Sequence, residues 1–257
     1  MILVSNDDGY LANGVRELMK FLAPYDEVVA ICPDSPRSGQ SMALTFTQAL
    51  RVREVESPVE GARLFKTNGT PVDCIKLARY AVLGDRNPSL VVSGINHGSN
   101  SAINVIYSGT MGAVFEGCAL GVPSIGFSLT SHRDDADFSG CRRFVDMLVP
   151  SLLEHGLPDG VCLNVNIPDC HPIPTRIALT RQARGAWTEE YEKYIDPQGE
   201  PFYMVTGRFD NYEPDARDTD EWCLAHGIAS LTPQLLDRTA PEASLPEWLK
   251  HEVSVQI

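Results

Sequence analysis

Two neighbouring carboxylates near the start of the chain, Asp7 and Asp8, stand between a short apolar run and a glycine, Gly9. Successive side chains of a strand point to opposite faces. The pair therefore converges on one point only where the backbone turns, which a strand end followed by glycine permits. Two close carboxylates repel and raise each other's pKa. A divalent cation between them removes that cost, and hard oxygen ligands favour magnesium, manganese or calcium. The same stretch also reads as an ordinary solvated Asp-Gly turn.

Three further loops have unusual composition. Residues 35–41, SPRSGQS, offer hydroxyls, backbone amides freed by Gly39 and one cation, Arg37. That mixture suits contact with an oxyanion or a metal, and equally an exposed flexible loop. Residues 93–100, SGINHGSN, place the amide of Asn96 where it can give a neutral oxygen to a cation, with Asn100 and two glycines beside it. His97, a lone histidine beside glycine, is read as structural or exposed. Residues 107–110, YSGT, lead into a helix. Hydroxyls and free amides at the positive end of a helix dipole trap phosphate, although simple N-capping by Ser108 or Thr110 is the plainer reading. No Walker sequence, no GxGxxG after the first strand and no GxSxG elbow is present.

The elements that must position these residues alternate along the chain. Residues 2–5 predict a buried strand, and Asn13 is predicted to cap a helix whose apolar face is Val15, Leu18, Met19 and Leu22. A second strand follows at 27–32, so the first three elements form a βαβ unit with a parallel sheet. Residues 43–67 predict short strands, and Pro71 starts a helix running to about Val82. Strands are predicted at 89–93, 124–129, 161–167 and 228–231, with helices at 110–120, 138–155 and 220–225. The polar segment 184–219 predicts a hairpin arm leaving the core, and arms of this kind often pair between subunits. The expectation is one α/β domain over 1–257 with a protruding arm at 184–219. Ligands of open parallel sheets bind beyond the carboxyl ends of the strands, where three of the loops fall. Carboxylates, hydroxyls, an amide and an anion trap can then meet at one edge.

Composition narrows the partners. A net charge of -13 disfavours extended binding to nucleic acid. A small anionic substrate then needs a positive group to screen it, such as a bound metal. No apolar run approaches the roughly 20 residues that span a bilayer, and residues 1–8 lack the pattern of a secretion signal. Seven scattered cysteines without a CxxC pair point to reduced thiols in a cytoplasmic protein.

Four stretches, ILVSNDDG at 2–9, CPDSPRSGQS at 32–41, VVSGINHGSN at 91–100 and YSGTMGAVFEG at 107–117, together resemble the bacterial survival protein E (SurE) family of 5′/3′-nucleotidases. Weaker likeness continues through NVNIP at 164–168 and ASLTPQ at 229–234. The resemblance implies a Rossmann-like three-layer α/β core with a mainly parallel sheet, and a C-terminal β-hairpin used in homodimers or homotetramers. It implies one divalent cation per subunit, Mg2+ or Mn2+, held by Asp7, Asp8, Ser38 and Asn96. It also implies hydrolysis of nucleoside 5′- and 3′-monophosphates and, in some members, of short polyphosphate. Cys32 and Met111 stand where Ala and Val are usual in the family, and the arm matches least.

The chemistry expected is phosphoester hydrolysis, with Asp8 orienting or deprotonating a water. Asn100 and the Ser108-Gly109-Thr110 helix start would receive the non-bridging phosphate oxygens. A covalent aspartyl-phosphate route competes. A different class of function, a non-catalytic nucleotide-binding regulatory module, would use the same sheet edge.

Overall fold

A computed structural model describes residues 1–133 and 135–248. In chain order the elements are β1 (Ile2–Ser5), α1 (Asn13–Leu22), β2 (Val28–Pro33), β3 (Val52–Val55), β4 (Arg63–Thr67), α2 (Pro71–Leu77), β5 (Leu90–His97), α3 (Gly109–Ala119), β6 (Ser124–Leu129), α4 (Arg142–His155), β7 (Val161–Ile167) and β8 (Ile177–Leu179). There follow β9 (Gly185–Thr188), β10 (Tyr191–Ile195), β11 (Pro201–Val205), β12 (Arg208–Asn211), α5 (Asp220–Ala225) and β13 (Ala229–Leu235).

A 9-stranded sheet has the order β3-β4-β2-β1-β5-β6-β7-β13-β8. From β4 to β7 all neighbours are parallel. At the two sides, β3 runs antiparallel to β4 and β13 antiparallel to β7. Strands β1, β2 and β6 are buried along their whole length, as continuous apolar runs are when helices cover both faces. Alternation then sorts the side chains into two layers. Ile2 and Val4 pack with Val15 and Leu18 of α1 and Phe144 of α4. Leu3, Val29 and Ile31 pack on the opposite face with Ile75 of α2 and Ala113 of α3. Each such side chain contributes roughly 1.5–3 kcal/mol by its burial.

Local chemistry sets most boundaries. Thr70 and Asp73 form a capping box at the start of α2, with Pro71 in the first helical position, a combination worth about 1 kcal/mol. The helix continues through a π-helical turn at Ala78–Val82. Asn13 is not the cap of α1. Ala12 takes that position with no side-chain bond, and Asn13 is the first helical residue. Strand β5 runs on to His97 instead of ending at Ser93, because the Asn96 and His97 backbone still pairs with Ser128 and Leu129 of β6. A 3-10 helix at Ala102–Ile106 and strand β8 carried no sequence signal strong enough to predict. The arm consists of two antiparallel ribbons, β9 with β12 and β10 with β11. Among the described residues no helix is long and apolar enough to cross a membrane.

Strand β1 has β2 on one side and β5 on the other. The crossover through α1 thus leads to one side, and the later return into β5 to the other. The strand order reverses here, and at such a point the loops beyond the carboxyl ends diverge and leave a crevice.

Candidate metal and phosphate site

Asp7 follows β1 directly and Asn96 lies near the end of β5, so the two flank the crevice. Asp7 is 3% exposed. Its Oδ1 accepts the Thr110 hydroxyl at 2.5 Å. A Cβ on Gly109 would lie 2.8 Å from the Asp7 Cβ and 2.9 Å from Oδ2. Only glycine lets the first turn of α3 close on the carboxylate this tightly. Burial, and then the neighbouring Asp8 charge, push the Asp7 carboxyl up to about 6, against the pull of its bonds from Thr110.

Asp8 accepts the His97 backbone N–H at 3.2 Å, and His97 Nδ1 stands 3.6 Å from the same oxygen. The His97 ring meets Phe138 edge-on at 4.9 Å, and its Nε2 is buried without a partner. The amide of Asn96 donates to the carbonyls of His97 at 3.1 Å and Gly98 at 2.8 Å. Both N–H bonds are thereby committed, which turns Oδ1 toward Thr110, 3.4 Å away. The Thr110 hydroxyl has a single proton and gives it to Asp7 in the shorter contact, so the Asn96 oxygen keeps its lone pairs.

Ser38 arrives from the loop after β2. The Arg37 N–H donates to the Asp7 carbonyl at 2.7 Å, which ties the loop to the end of β1. Further on, Ser41 binds the carbonyls of Tyr107 and Ile106. Ser38 is exposed and borders two adjoining depressions, one beside Asp7 and Asn96, the other beside Asp8 and His97.

The first depression is a cleft of about 370 Å3 that also takes in Asn100 and Ser108. Asn100 is held by three bonds, its side chain to Ser128 and its backbone to Asn164 and Asn166. Ser108 Oγ accepts the Met111 N–H at 3.0 Å and so caps α3. Thr110 is fully buried, and with Gly109 it lies against the Asp7 carboxylate. Those two residues shape and brace Asp7, while Asn100 and Ser108 border the open space.

Several wall residues carried no sequence signal. His132 lies beyond β6, Trp187 and Phe209 come from the β9–β12 ribbon, and Glu221 from α5. Trp187 Nε1 donates to Asn104 Oδ1 at 2.7 Å, and its ring meets Phe209 at 6.2 Å and 63°. Glu221 accepts the Ser101 hydroxyl, and burial raises its pKa. An aromatic residue in a polar arm is a signal in principle, but its target depends on how the ribbon folds back.

The donor set fits a hard divalent cation. Asp7 and the Asn96 oxygen share one hydroxyl proton, that of Thr110, and Asp8 adds a second carboxylate at the next position in the chain. Acceptors crowded in a buried place are costly unless a positive charge joins them. Among the described residues no group of three His, Cys, Asp or Glu side chains is placed to hold an ion. The set at hand has two carboxylates and is completed by neutral oxygens. That composition suits a hard cation such as Mg2+, Mn2+ or Ca2+ and is unlike a zinc site of His and Cys.

Comparison with known proteins shows the family of the chain. The model of the family described as "Survival protein SurE" matches residues 2–189. The 5′-nucleotidase SurE of Bacteroides fragilis is 48% identical over 93% of each chain. That of Phocaeicola vulgatus is 46% identical over 93% of this chain and 92% of its own. The crystal structure of the SurE protein from Aquifex aeolicus superposes with a TM-score of 0.81 at 35% identity, covering 98% of both chains.

Proposed function

Because the chain belongs to the SurE survival-protein family, we propose that it is a 5′-nucleotidase, hydrolysing nucleoside 5′- and 3′-monophosphates to nucleoside and phosphate. The observation that supports the reading is the position of Asp7, Asp8 and Asn96 at the ends of β1 and β5, where the strand order reverses. Asp7, Asp8, Ser38 and Asn96 would hold Mg2+ or Mn2+ there. When bound, such an ion polarises a phosphate oxygen and makes a bound water more acidic.

The chain's own groups do the rest. Thr110 and Gly109 fix Asp7 in one orientation, so the acceptor cluster is organised before substrate arrives. Asp8, held by the His97 N–H, would orient or deprotonate the attacking water. Asn100 and Ser108, which line the cleft, would donate to non-bridging oxygens of the phosphate. Trp187 and Phe209, which line the same cleft, would supply an apolar surface for a nucleobase, and stacking on such rings tolerates any base. This favours nucleotides over smaller phosphate esters.

Assembly belongs to the same proposal. Tyr191, Ile195, Tyr203 and Val205 on the β10–β11 ribbon are each at least 60% exposed, an apolar surface suited to a second copy of the chain. The arm would thus make a homodimer or homotetramer of a single-domain subunit. The seven cysteines are unpaired, which supports residence in the reducing cytoplasm.

The test is phosphate release from a panel of 5′- and 3′-nucleotides with Mg2+, Mn2+ or chelator. Metal-dependent turnover is expected. Nucleotide that binds yet survives prolonged incubation with Mn2+ would instead mark a regulatory binding module.

A further inference from the structure

Beyond the carboxyl ends of β2 and β4 lies another depression, of about 280 Å3, lined by Asp34, Arg51, Arg53, Lys66, Thr67 and Asn68. It opens on the same edge of the sheet as Asp7, since β4 is parallel to β2 and β2 to β1. Two strand spacings separate the ends of β1 and β4, about 10 Å.

Three cations share this hollow without acids to match them. The β3–β4 register sets Arg53 directly opposite Lys66, and Arg51 is two residues before Arg53. Like charges directly opposite on neighbouring strands destabilise a sheet. Among the described residues none of the three makes an ion pair, whereas on the other face of the same two strands Arg63 and Glu54 are paired at 2.8 Å. The one acid in the hollow, Asp34, lies 3.6 Å from Arg37. Arg37 in turn binds the Asn68 carbonyl at 3.2 Å, which brings a fourth cation to the rim.

Protection of the edge strand by charge accounts for Arg53 on β3 but not for Lys66. Lys66 lies on the inner strand β4 and is half-buried, its Nζ 4.9 Å from the ring centre of Tyr10. Tyr10 belongs to the turn that carries Asp8. In a chain of net charge -13, a cluster of unpaired cations beside an acidic centre creates a local field that attracts anions the rest of the surface repels. Arginine forks match the oxygens of a phosphate in particular.

We propose that Arg51, Arg53 and Lys66 form a second phosphate-binding site, separate from the centre built on Asp7. Its occupant is a phosphate dianion, supplied either as free orthophosphate or as a second phosphate on a substrate that reaches across from the first site. The latter source rests on the nucleotidase reading; the binding itself does not.

The experiment is calorimetric titration of orthophosphate into metal-stripped full-length protein, with the chelator dialysed away. Saturable binding is expected in the wild type and in Asp7→Asn. It should weaken by about tenfold or more in Arg51→Gln/Arg53→Gln/Lys66→Gln, as removal of charge-assisted hydrogen bonds predicts. The double variant Arg51→Gln/Arg53→Gln, which alters only exposed side chains, should show most of that loss, and Arg53→Lys should recover part of it. Equal affinity in the wild type and the triple variant overturns the proposal, as does binding abolished by Asp7→Asn. The sources separate in turnover assays. A KM raised in the double variant for a nucleoside 3′,5′-bisphosphate, but not for a 5′-monophosphate, identifies the substrate's second phosphate. Loss of an effect of added orthophosphate, with both KM values unchanged, identifies the free ion. Failure of turnover in every variant would count against the nucleotidase reading and leave the titration result standing.

Discussion

Thr110 gives its hydroxyl proton to Asp7 Oδ1 across 2.5 Å, joining residues 103 positions apart. The bond is buried and lies in the first turn of α3. It decides which way the carboxylate faces, and it takes the proton that would otherwise be shared with the Asn96 oxygen. Thr110→Val, of similar shape, is therefore expected to lower metal affinity by about 10–100-fold, as loss of a group that orients a metal ligand does. Thr110→Ser should retain most of it. Titration of Mn2+ followed by calorimetry checks both, and equal affinity in the valine variant would remove the positioning role.

Asp7→Asn should abolish metal-stimulated release of phosphate from AMP, by at least about a hundredfold, while the fold stays intact. Adding Mn2+ should raise the melting temperature of the wild type by mass action and leave that of the variant unmoved. Unchanged turnover in Asp7→Asn would refute the ligand assignment.

At Gly109 two physical arguments give opposite signs. Alanine is the better helix former by about 1 kcal/mol, so propensity alone expects Gly109→Ala to stabilise. The new methyl would instead sit 2.8 Å from the Asp7 Cβ, and overpacking of this kind costs roughly 1–3 kcal/mol. Contact prevails because the displaced neighbour is held by its own buried bond. Thermal unfolding should show a loss of stability together with a loss of activity.

Trp187→Ala should raise KM for mononucleotides by about 5–100-fold, the range of one lost base–aromatic stack. It should change little for glycerol phosphate, which has no base. Trp187→Phe, which loses the bond to Asn104 but keeps a ring, should fall between. A proportional loss on both substrates would mean that the tryptophan is merely structural.

Glu221 supplies a pH test away from the metal ligands. Burial holds its folded pKa above the ordinary value, with a further push from Asp220 and a counter-pull from the Ser101 hydroxyl. The ionised form is thus disfavoured in the native state. Its penalty is complete above the folded pKa and absent below the unfolded one, about 4.3. Glu221→Gln keeps an oxygen for Ser101 and removes the charge. It should melt at a higher temperature than wild type at pH 7.5, with the gap closing as pH falls toward 4. A gap independent of pH would rule out the charge as its cause.

The sequence made the fold largely readable. Strands β1, β6 and β7 span the predicted residues 2–5, 124–129 and 161–167, since no local choice competes with burial there. Less could be read where a residue's role depends on a partner far along the chain. Asn13 looked like a cap, yet nothing in its neighbourhood revealed that Ala12 would take the position. The loops carrying Asp7, Asp8, Ser38 and Asn96 stood out through glycine and polar clustering at strand ends, and the structure gathers them around one crevice. Thr110 and Gly109 were visible as a helix start, but their service to Asp7 appears only when α3 is packed beside β1. Trp187, Phe209 and Glu221 were illegible because the ribbon and α5 reach the cleft by long-range pairing.

The positions around the cleft run from Asp7 to Glu221, which has a consequence for synthesis on the ribosome. The acidic turn, the serine loop and the asparagine strand all emerge early, while the aromatic wall and α5 come out near the end. A nascent chain can thus hold the makings of an ion site long before it has an enclosed chamber for substrate. Until the segment around Glu221 has emerged and folded back, the partly made protein has an open hollow in place of the finished cleft.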